Sequence, residues 1–591
     1  MSSEPLWLDV GGRPCLGLLD EPLPAVPGAP AVILPPPFGW EELCSYRSRH
    51  VWAHDLAARG FRVLRLDLPG TGDSAGSAAD PQLLDAWTDA VVAGVELLRE
   101  RGASRVAAVG LGLGGLLSVA AVARGAEIDD LVLWGVPARG RTLARELRAF
   151  AALEQAEVAA FDGTVPETHH DGRIVVAGFL LTPATLAALE ALDPTAGGLP
   201  PRPGTRTLLL DRDGVGPDAR LVAALEAAGG EVATEPGPGW GQMIEMPHLA
   251  VAPSDVIARA GEWLAGAPPA PRSPAAPAAP RAGEGATVAP GVQERVLQLP
   301  STLGEVVAIG SEPESDSGEP LTLVLLNAGA IRRIGPGRMW VEAARRWAQR
   351  GVPAVRADLA GIGDAEGERD PLAPELGLYV PSYVAQVREV LDGLQRLGYP
   401  GRFVLAGLCS GAYWSLHAAV EDERVVAAVL LNPRAITSDV LRQQMSGEVS
   451  KLVSATAWGK VLRGGVSPAA MTRRLGRLLQ GVIAEAREAP VRARRRVGAE
   501  GDELEGLLGA LEESGHHATM LFSVDEPLPE ALRMSGRWDR VTRSPAVTVE
   551  RIEGHDHTLR PLVMQAAAHA VIDGAVEAEL VRARSEVPAT A

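Results

Sequence analysis

The sequence predicts an α/β protein built from two successive domains of one kind, each a mostly parallel sheet covered by helices on both faces. Three observations carry that expectation. Apolar strand-length runs alternate with helix-length stretches. In the second half the strands fall near Leu321–Leu326, Ala354–Ala357, Phe403–Ala406, Val426–Leu431, Thr519–Val524 and Val547–Ile552, with helices such as Trp340–Arg350 and Val384–Leu397 between them. Next, Gly60–Gly76 returns as Gly351–Gly367 with eight of seventeen positions identical. That period is too long for a solenoid and signals duplication of a whole domain. Finally, each half runs from a strand through a glycine-rich turn into a helix. Val106–Val109 leads into Gly110-Leu111-Gly112-Leu113-Gly114, and Phe403–Ala406 leads into Gly407-Leu408-Cys409-Ser410-Gly411.

A chain of 591 residues exceeds one hydrophobic core. The Pro/Ala run that begins at Ala267 forms no core and reads as an extended tether. It divides the chain into 1–266, a linker at 267–291, and 292–591. The formal charge of −18 argues against nonspecific nucleic-acid binding. No apolar run reaches the roughly 18–20 residues of a membrane span. Three separated cysteines, Cys15, Cys44 and Cys409, suggest neither a disulfide framework nor a zinc site. No metal-ligand spacing and no cofactor motif appears. The first residues carry no basic, apolar leader, so the cytoplasm is the expected location.

The two turns differ where it matters. Both have the form of the nucleophile elbow, G-x-S-x-G, in which a strained turn exposes the central side chain at the end of the sheet. The second half has Cys409 at the apex; the first has Gly112, which has no side chain. A thiolate needs a base, and the base needs an orienting acid. Strand Thr519–Val524 ends at Asp525, and strand Val547–Ile552 leads to His555 and His557. These positions predict Cys409 as nucleophile, His557 as base and Asp525 as acid, with His555 and Glu526 as rivals. An oxyanion hole needs two N–H donors. Ser410 follows the nucleophile at the helix start, and Gly329 lies in the loop Asn327–Ala330 after the first parallel strand.

The segments Pro36–Arg47, Asp67–Ser74, Asn327–Gly329, Gly407–Ala412 and Gly554–Thr558 resemble α/β-hydrolases, and more narrowly bacterial exosortase-associated and serine-aminopeptidase-like hydrolases. The resemblance covers both halves apart from the linker. It implies two α/β-hydrolase domains in tandem, each with a helical lid insertion, and acyl chemistry through a covalent acyl-enzyme. Cysteine at the elbow is similar to dienelactone hydrolase.

In the second half the insertion is expected at about 435–515. It is rich in arginine, with Arg494, Arg495 and Arg496 in one cluster, while the chain as a whole is acidic. Such a surface suits an anionic partner such as an acyl carrier protein. The leading expectation is a thioesterase or acyltransferase acting on an acyl thioester. The alternatives are a small-ester or lactone hydrolase, a cyclase or lyase using the same pocket, and a non-catalytic scaffold. The first half keeps Asp211, Asp213 and His248 but has no nucleophile, and Ser74 and Ser118 lie outside the elbow. It reads as a pseudoenzyme or docking domain.

Overall fold

The computed structural model describes residues 3–24, 29–162, 171–201, 203–267, 285–315, 318–369, 376–437, 440 and 502–586. The lid expected at 435–515 falls mostly outside them, as do Arg494, Arg495 and Arg496. Among the described residues no helix is long and apolar enough to cross a membrane.

Among the described residues two large sheets hold all the strands but two. The first holds β1 (Glu4–Val10), β2 (Arg13–Asp20), β3 (Ala31–Leu34), β4 (Arg62–Leu66), β5 (Val106–Leu111), β6 (Asp130–Trp134), β9 (Arg206–Leu210) and β10 (Glu231–Glu235); β7 (Ile174–Val176) and β8 (Phe179–Leu181) form a separate hairpin. The second holds β11 (Ala286–Ala289), β12 (Val292–Leu299), β13 (Val306–Pro313), β14 (Leu321–Leu325), β15 (Ala354–Asp358), β16 (Arg402–Leu408), β17 (Val425–Leu431), β18 (His517–Phe522) and β19 (Val547–Arg551). Their spatial orders are β1-β2-β4-β3-β5-β6-β9-β10 and β11-β12-β13-β15-β14-β16-β17-β18-β19. Apart from the edge strand β11, the second order repeats the first. In both, antiparallel strands lead into a parallel series that begins where β3 or β14 lies between its neighbours. The central strands β3, β5, β14 and β16 read as continuous apolar runs because both faces are covered.

One boundary shifts. Ala286–Ala289, placed in the linker on composition, pairs antiparallel with β12 and belongs to the second sheet. The last described helix before the Pro/Ala run is Ser254–Ala265.

The halves meet through the repeated segment itself, and the contact is reciprocal. Arg47 of the first half donates to the carbonyls of Gly363, Ala365 and Gly367. Arg338 of the second donates to the carbonyls of Gly72, Ser74 and Gly76, the matching positions of the repeat. Arg65 pairs with Asp364, and its counterpart Arg356 pairs with Asp73. Such a swap of equivalent contacts is the signature of an isologous interface, here within one chain. Apolar side chains cross as well. Leu43 joins the core of the second half, and Ile334 and Val341 join that of the first.

Candidate functional site

The apex of the second elbow lies between β16 and the helix Ser410–Glu421. Cys409 has φ 59° and ψ −109°, a conformation that a side-chain-bearing residue adopts only when its surroundings impose it. The flanking glycines explain the constraint. A Cβ on Gly407 would lie 2.2 Å from the backbone of Gly411, and one on Gly411 would lie 2.2 Å from the Asn327 carbonyl oxygen. The strand, the turn and the oxyanion-side loop are therefore packed backbone to backbone. The apex is tied to the next strand by Cys409 N–H donating to the Leu431 carbonyl at 3.0 Å.

The other parts come from loops past the ends of neighbouring strands. His557 follows β19, and its Nδ1 lies 2.9 Å and 3.0 Å from the two carboxylate oxygens of Glu526. The same imidazole faces the Cys409 sulfur closely enough for each to act on the other's charge. Tyr379 brings its hydroxyl to 3.2 Å from the same sulfur. Burial alone would raise the Cys409 thiol. The His557 imidazolium overrides that, with help from Tyr379 and the field of Arg434, and holds the thiol below its ordinary value. Burial likewise works against charge on His557, but the thiolate and Glu526 hold the imidazole above its usual range. The arrangement favours a thiolate–imidazolium pair. The other two cysteines behave oppositely, for burial raises Cys15 to about 12 and Cys44 further still.

The carboxylate that meets His557 is not the one the sequence pointed to. Asp525 does not reach His557; its side chain is 75% exposed and lies 3.2 Å from His555. Glu526, with its side chain 5% exposed, meets His557. The reason is local. Asp525 takes φ 61° in the turn after β18, and the following residue turns inward just before the helix Pro527–Met534. Ser523 Oγ also donates to Glu526 at 3.1 Å.

Asn432, the residue just past β17, has a role the sequence reading missed. Its Nδ2 donates to the His557 carbonyl at 2.9 Å, and its Oδ1 accepts from Ser523 N–H at 2.8 Å. One side chain thus fastens the histidine loop and the acid loop. A polar residue directly after an apolar strand was the available signal. Tyr379 left none, because it lies in a loop thirty residues before the elbow.

On the oxyanion side, Ser410 N–H opens the helix beside Cys409. Gly329 has φ 60° in a tight turn bridged from Ala328 to Ile331, and a Cβ there would meet nothing within 4 Å. Among the described residues no group of three or more His, Cys, Asp or Glu side chains could hold a metal ion.

The first half keeps the elbow's backbone without its chemistry. Gly112 has φ 47°, and the glycines of its turn are packed as tightly as their counterparts, with a Cβ on Gly114 falling 2.2 Å from the Pro35 carbonyl oxygen. That contact aligns Pro35 with Asn327, so Pro36 and Pro37 stand where Ala328 and Gly329 stand, and proline has no N–H to donate. Glu41 fills the nucleophile's place, its Oε2 only 2.5 Å from where a Cβ on Gly112 would be. Burial, reinforced by Glu146, raises the Glu41 carboxyl to about 7. Asp211 and Asp213 are occupied by backbone N–H groups of Gly214, Gly237, Gly239 and Gly241. His248 lends its carbonyl to Arg369 of the second half. In a Cys409→Ala background, Gly112→Ser should therefore give no acyl adduct by intact-mass spectrometry. An adduct on residue 112 would show that a working site survives there.

No protein-family model and no curated protein sequence matches the chain. Among solved structures it is similar to Est1E from Butyrivibrio proteoclasticus (18% identity, TM-score 0.32, covering 44% of this chain and 97% of that one). It is similar to proline iminopeptidase from Mycobacterium smegmatis (18%, 0.30, 47% and 99%) and to alpha/beta hydrolase domain-containing protein 10 from mouse (16%, 0.30, 48% and 98%). The strand order, the strained elbow between packed glycines, and the loops past the strand ends make each half of this chain an α/β-hydrolase fold.

Proposed function

We propose that the second half is an acyl-transfer enzyme with Cys409 as nucleophile, His557 as general base and Glu526 as the acid that orients it. The substrate is an acyl thioester, and the enzyme acts as a thioesterase or acyltransferase. The division is a first domain over 1–266, a linker that gives way to the second sheet at Ala286, and a catalytic domain to 591. The first domain is non-catalytic. The observation that carries this reading is the thiol at the strained apex, held below its ordinary pKa by an imidazole that a buried carboxylate fixes from behind.

The chemistry follows from those positions. The Cys409 thiolate attacks the acyl carbonyl carbon, and the new C–S bond places negative charge on the carbonyl oxygen. Ser410 N–H and a donor from the Gly329 turn stabilise that oxygen. As the tetrahedral intermediate collapses, the bond to the leaving thiolate breaks and the His557 imidazolium supplies its proton. His557, now neutral, takes a proton from water or another acceptor, whose oxygen or nitrogen attacks the acyl-enzyme. The Cys409 thiolate is released with the product, and the imidazolium is restored. Tyr379 donates to the thiolate in the resting state and steadies it. An anionic carrier docks at the arginine cluster Arg494–Arg496.

Intact-mass spectrometry after incubation with a panel of acyl thioesters and aryl esters tests the proposal. Wild type should gain one acyl mass, and Cys409→Ala none. The lowered thiol also fixes a pH dependence. Thiolate persists below the pH at which a free cysteine, of pKa about 8.5, has become largely protonated. Iodoacetamide should therefore still modify Cys409 at pH 6.5 while Cys15 and Cys44 stay unlabelled. An alkylation profile that rises only above pH 8 would sink the thiolate–imidazolium assignment.

A further inference from the structure

We infer that the first half positions the oxyanion loop of the second, with Asp67 and Glu42 acting through Arg332. The inference rests on the acyl-transfer reading and assigns the silent domain a part in it.

The turn that carries Gly329 is anchored at its two ends. At the first, Asn327 is held within its own half. Its Oδ1 accepts from Leu359 N–H at 3.0 Å, and its Nδ2 donates to the Ile331 carbonyl at 3.0 Å and to Asp358 at 2.9 Å. At the second end come Arg332 and Arg333. Both ion-paired carboxylates of Arg332 within 3.0 Å belong to the other half: it bridges the two oxygens of Asp67 and reaches Glu42 Oε1, each at 3.0 Å. Its guanidinium also lies 4.0 Å from the ring centre of Tyr46. Arg333 is shared, with Asp73 of the first half 2.8 Å away and Asp358 and Asp364 of its own half at 2.6 Å and 2.7 Å.

Between these ends Ala328 and Ile331 are buried, while the space that a side chain on Gly329 would enter is open, with nothing within 4 Å. Oxyanion stabilisation depends on donors held at a fixed distance from the developing charge, and a displacement of about 1 Å can cost roughly 100-fold. The arginine end of the turn is held from both halves, by Asp358 on the N–H and side chain of Arg333 and by Asp67 and Glu42 on Arg332, so its placement depends in part on the first half. The backbone trace of the first half explains why it can take this role without catalytic parts. Asp67 and Asp73 lie in the repeated segment, where the matching Asp358 and Asp364 serve the second half's own loop.

The test uses the full chain and separates thiol reactivity from oxyanion binding. Iodoacetamide alkylation reports the thiolate and needs no oxyanion hole. Butanal adds to the thiol as a hemithioacetal whose oxygen occupies the hole. With p-nitrophenyl butyrate as substrate, and rates normalised to titratable Cys409, Glu42→Gln should lower kcat by about 3–10-fold and Asp67→Asn by about 10–100-fold. KM should stay within about twofold, the alkylation rate should be unchanged, and butanal affinity should fall by a factor similar to kcat. A variant that lowers kcat with butanal affinity intact overturns the inference. So does an unchanged kcat in Glu42→Gln, the variant to rely on if Asp67→Asn does not fold. Failure of wild type to alkylate at Cys409 is a different result, because it removes the acyl-transfer reading itself.

Discussion

Glu526→Gln is expected to lower kcat/KM by about 10³–10⁴-fold, while Asp525→Asn should leave it within about twofold. The contrast follows from geometry. A carboxylate behind the base holds the imidazole in the tautomer that accepts a proton at Nε2, and it stabilises the imidazolium once formed. Glu526 is placed for both tasks, with its two oxygens at 2.9 Å and 3.0 Å from Nδ1. A glutamine of the same shape can present its amide nitrogen instead and select the wrong tautomer. In a serine protease, losing the carboxylate alone has cost on the order of 10⁴-fold. The thiolate should become less populated as well, because the imidazolium that lowers its pKa is no longer supported. Alkylation at pH 6.5 should slow along with turnover. Asp525 is exposed and faces His555, so its charge is screened by water. A large loss in Asp525→Asn with little in Glu526→Gln would reverse the assignment.

Much of the fold was legible because long buried parallel strands leave continuous apolar runs. The expected strand at Leu321–Leu326 matches buried β14 to within a residue at each end; Ala354–Ala357 and Val547–Ile552 match β15 and β19 as closely, although β15 carries Arg356 and Asp358 and the edge strand β19 is largely exposed. The elbow was legible for a different reason, since close backbone approach admits only glycine at Gly407 and Gly411. The choice between Asp525 and Glu526 was not. The residues are adjacent, both carboxylates follow the same strand, and the outcome depends on the positive φ that the turn imposes on the first. Nor could the sequence show where Arg332 and Arg333 point. Two arginines after a glycine turn read as surface charge, yet their side chains are 2% and 0% exposed. Arg332 finds its carboxylates more than two hundred residues away in the other half, and Arg333 is shared between Asp73 there and Asp358 and Asp364 of its own half. The same holds for Gly112: its missing nucleophile was plain, but the carboxylate of Glu41 in that space was not.

Arg333→Met should destabilise the folded chain by about 3–5 kcal/mol, the usual cost of removing one side of a buried ionic cluster. Arg333 is fully buried and faces three carboxylates: Asp73 of the first half at 2.8 Å, and Asp358 and Asp364 of its own at 2.6 Å and 2.7 Å. Burial raises Asp358 even with the arginine present, whereas Asp364 is held well below the usual range against burial by Arg65 and Arg333. Without Arg333, Asp358 loses its guanidinium partner and the three acids repel one another in a dry site. Protonation relieves part of that strain, so the deficit should shrink as pH falls through the carboxylate range and grow again toward pH 7. Arg332 lies at the same interface but has a different consequence. It meets the first half alone, so its loss should loosen the oxyanion turn more than the second half's own core. Urea unfolding of wild type and Arg333→Met at pH 7 and pH 4.5 reads both parts of the prediction. A deficit under 1 kcal/mol at pH 7, or one that does not narrow in acid, would mean that apolar contacts such as Leu43, Ile334 and Val341 hold the halves together and the charges merely fix their register.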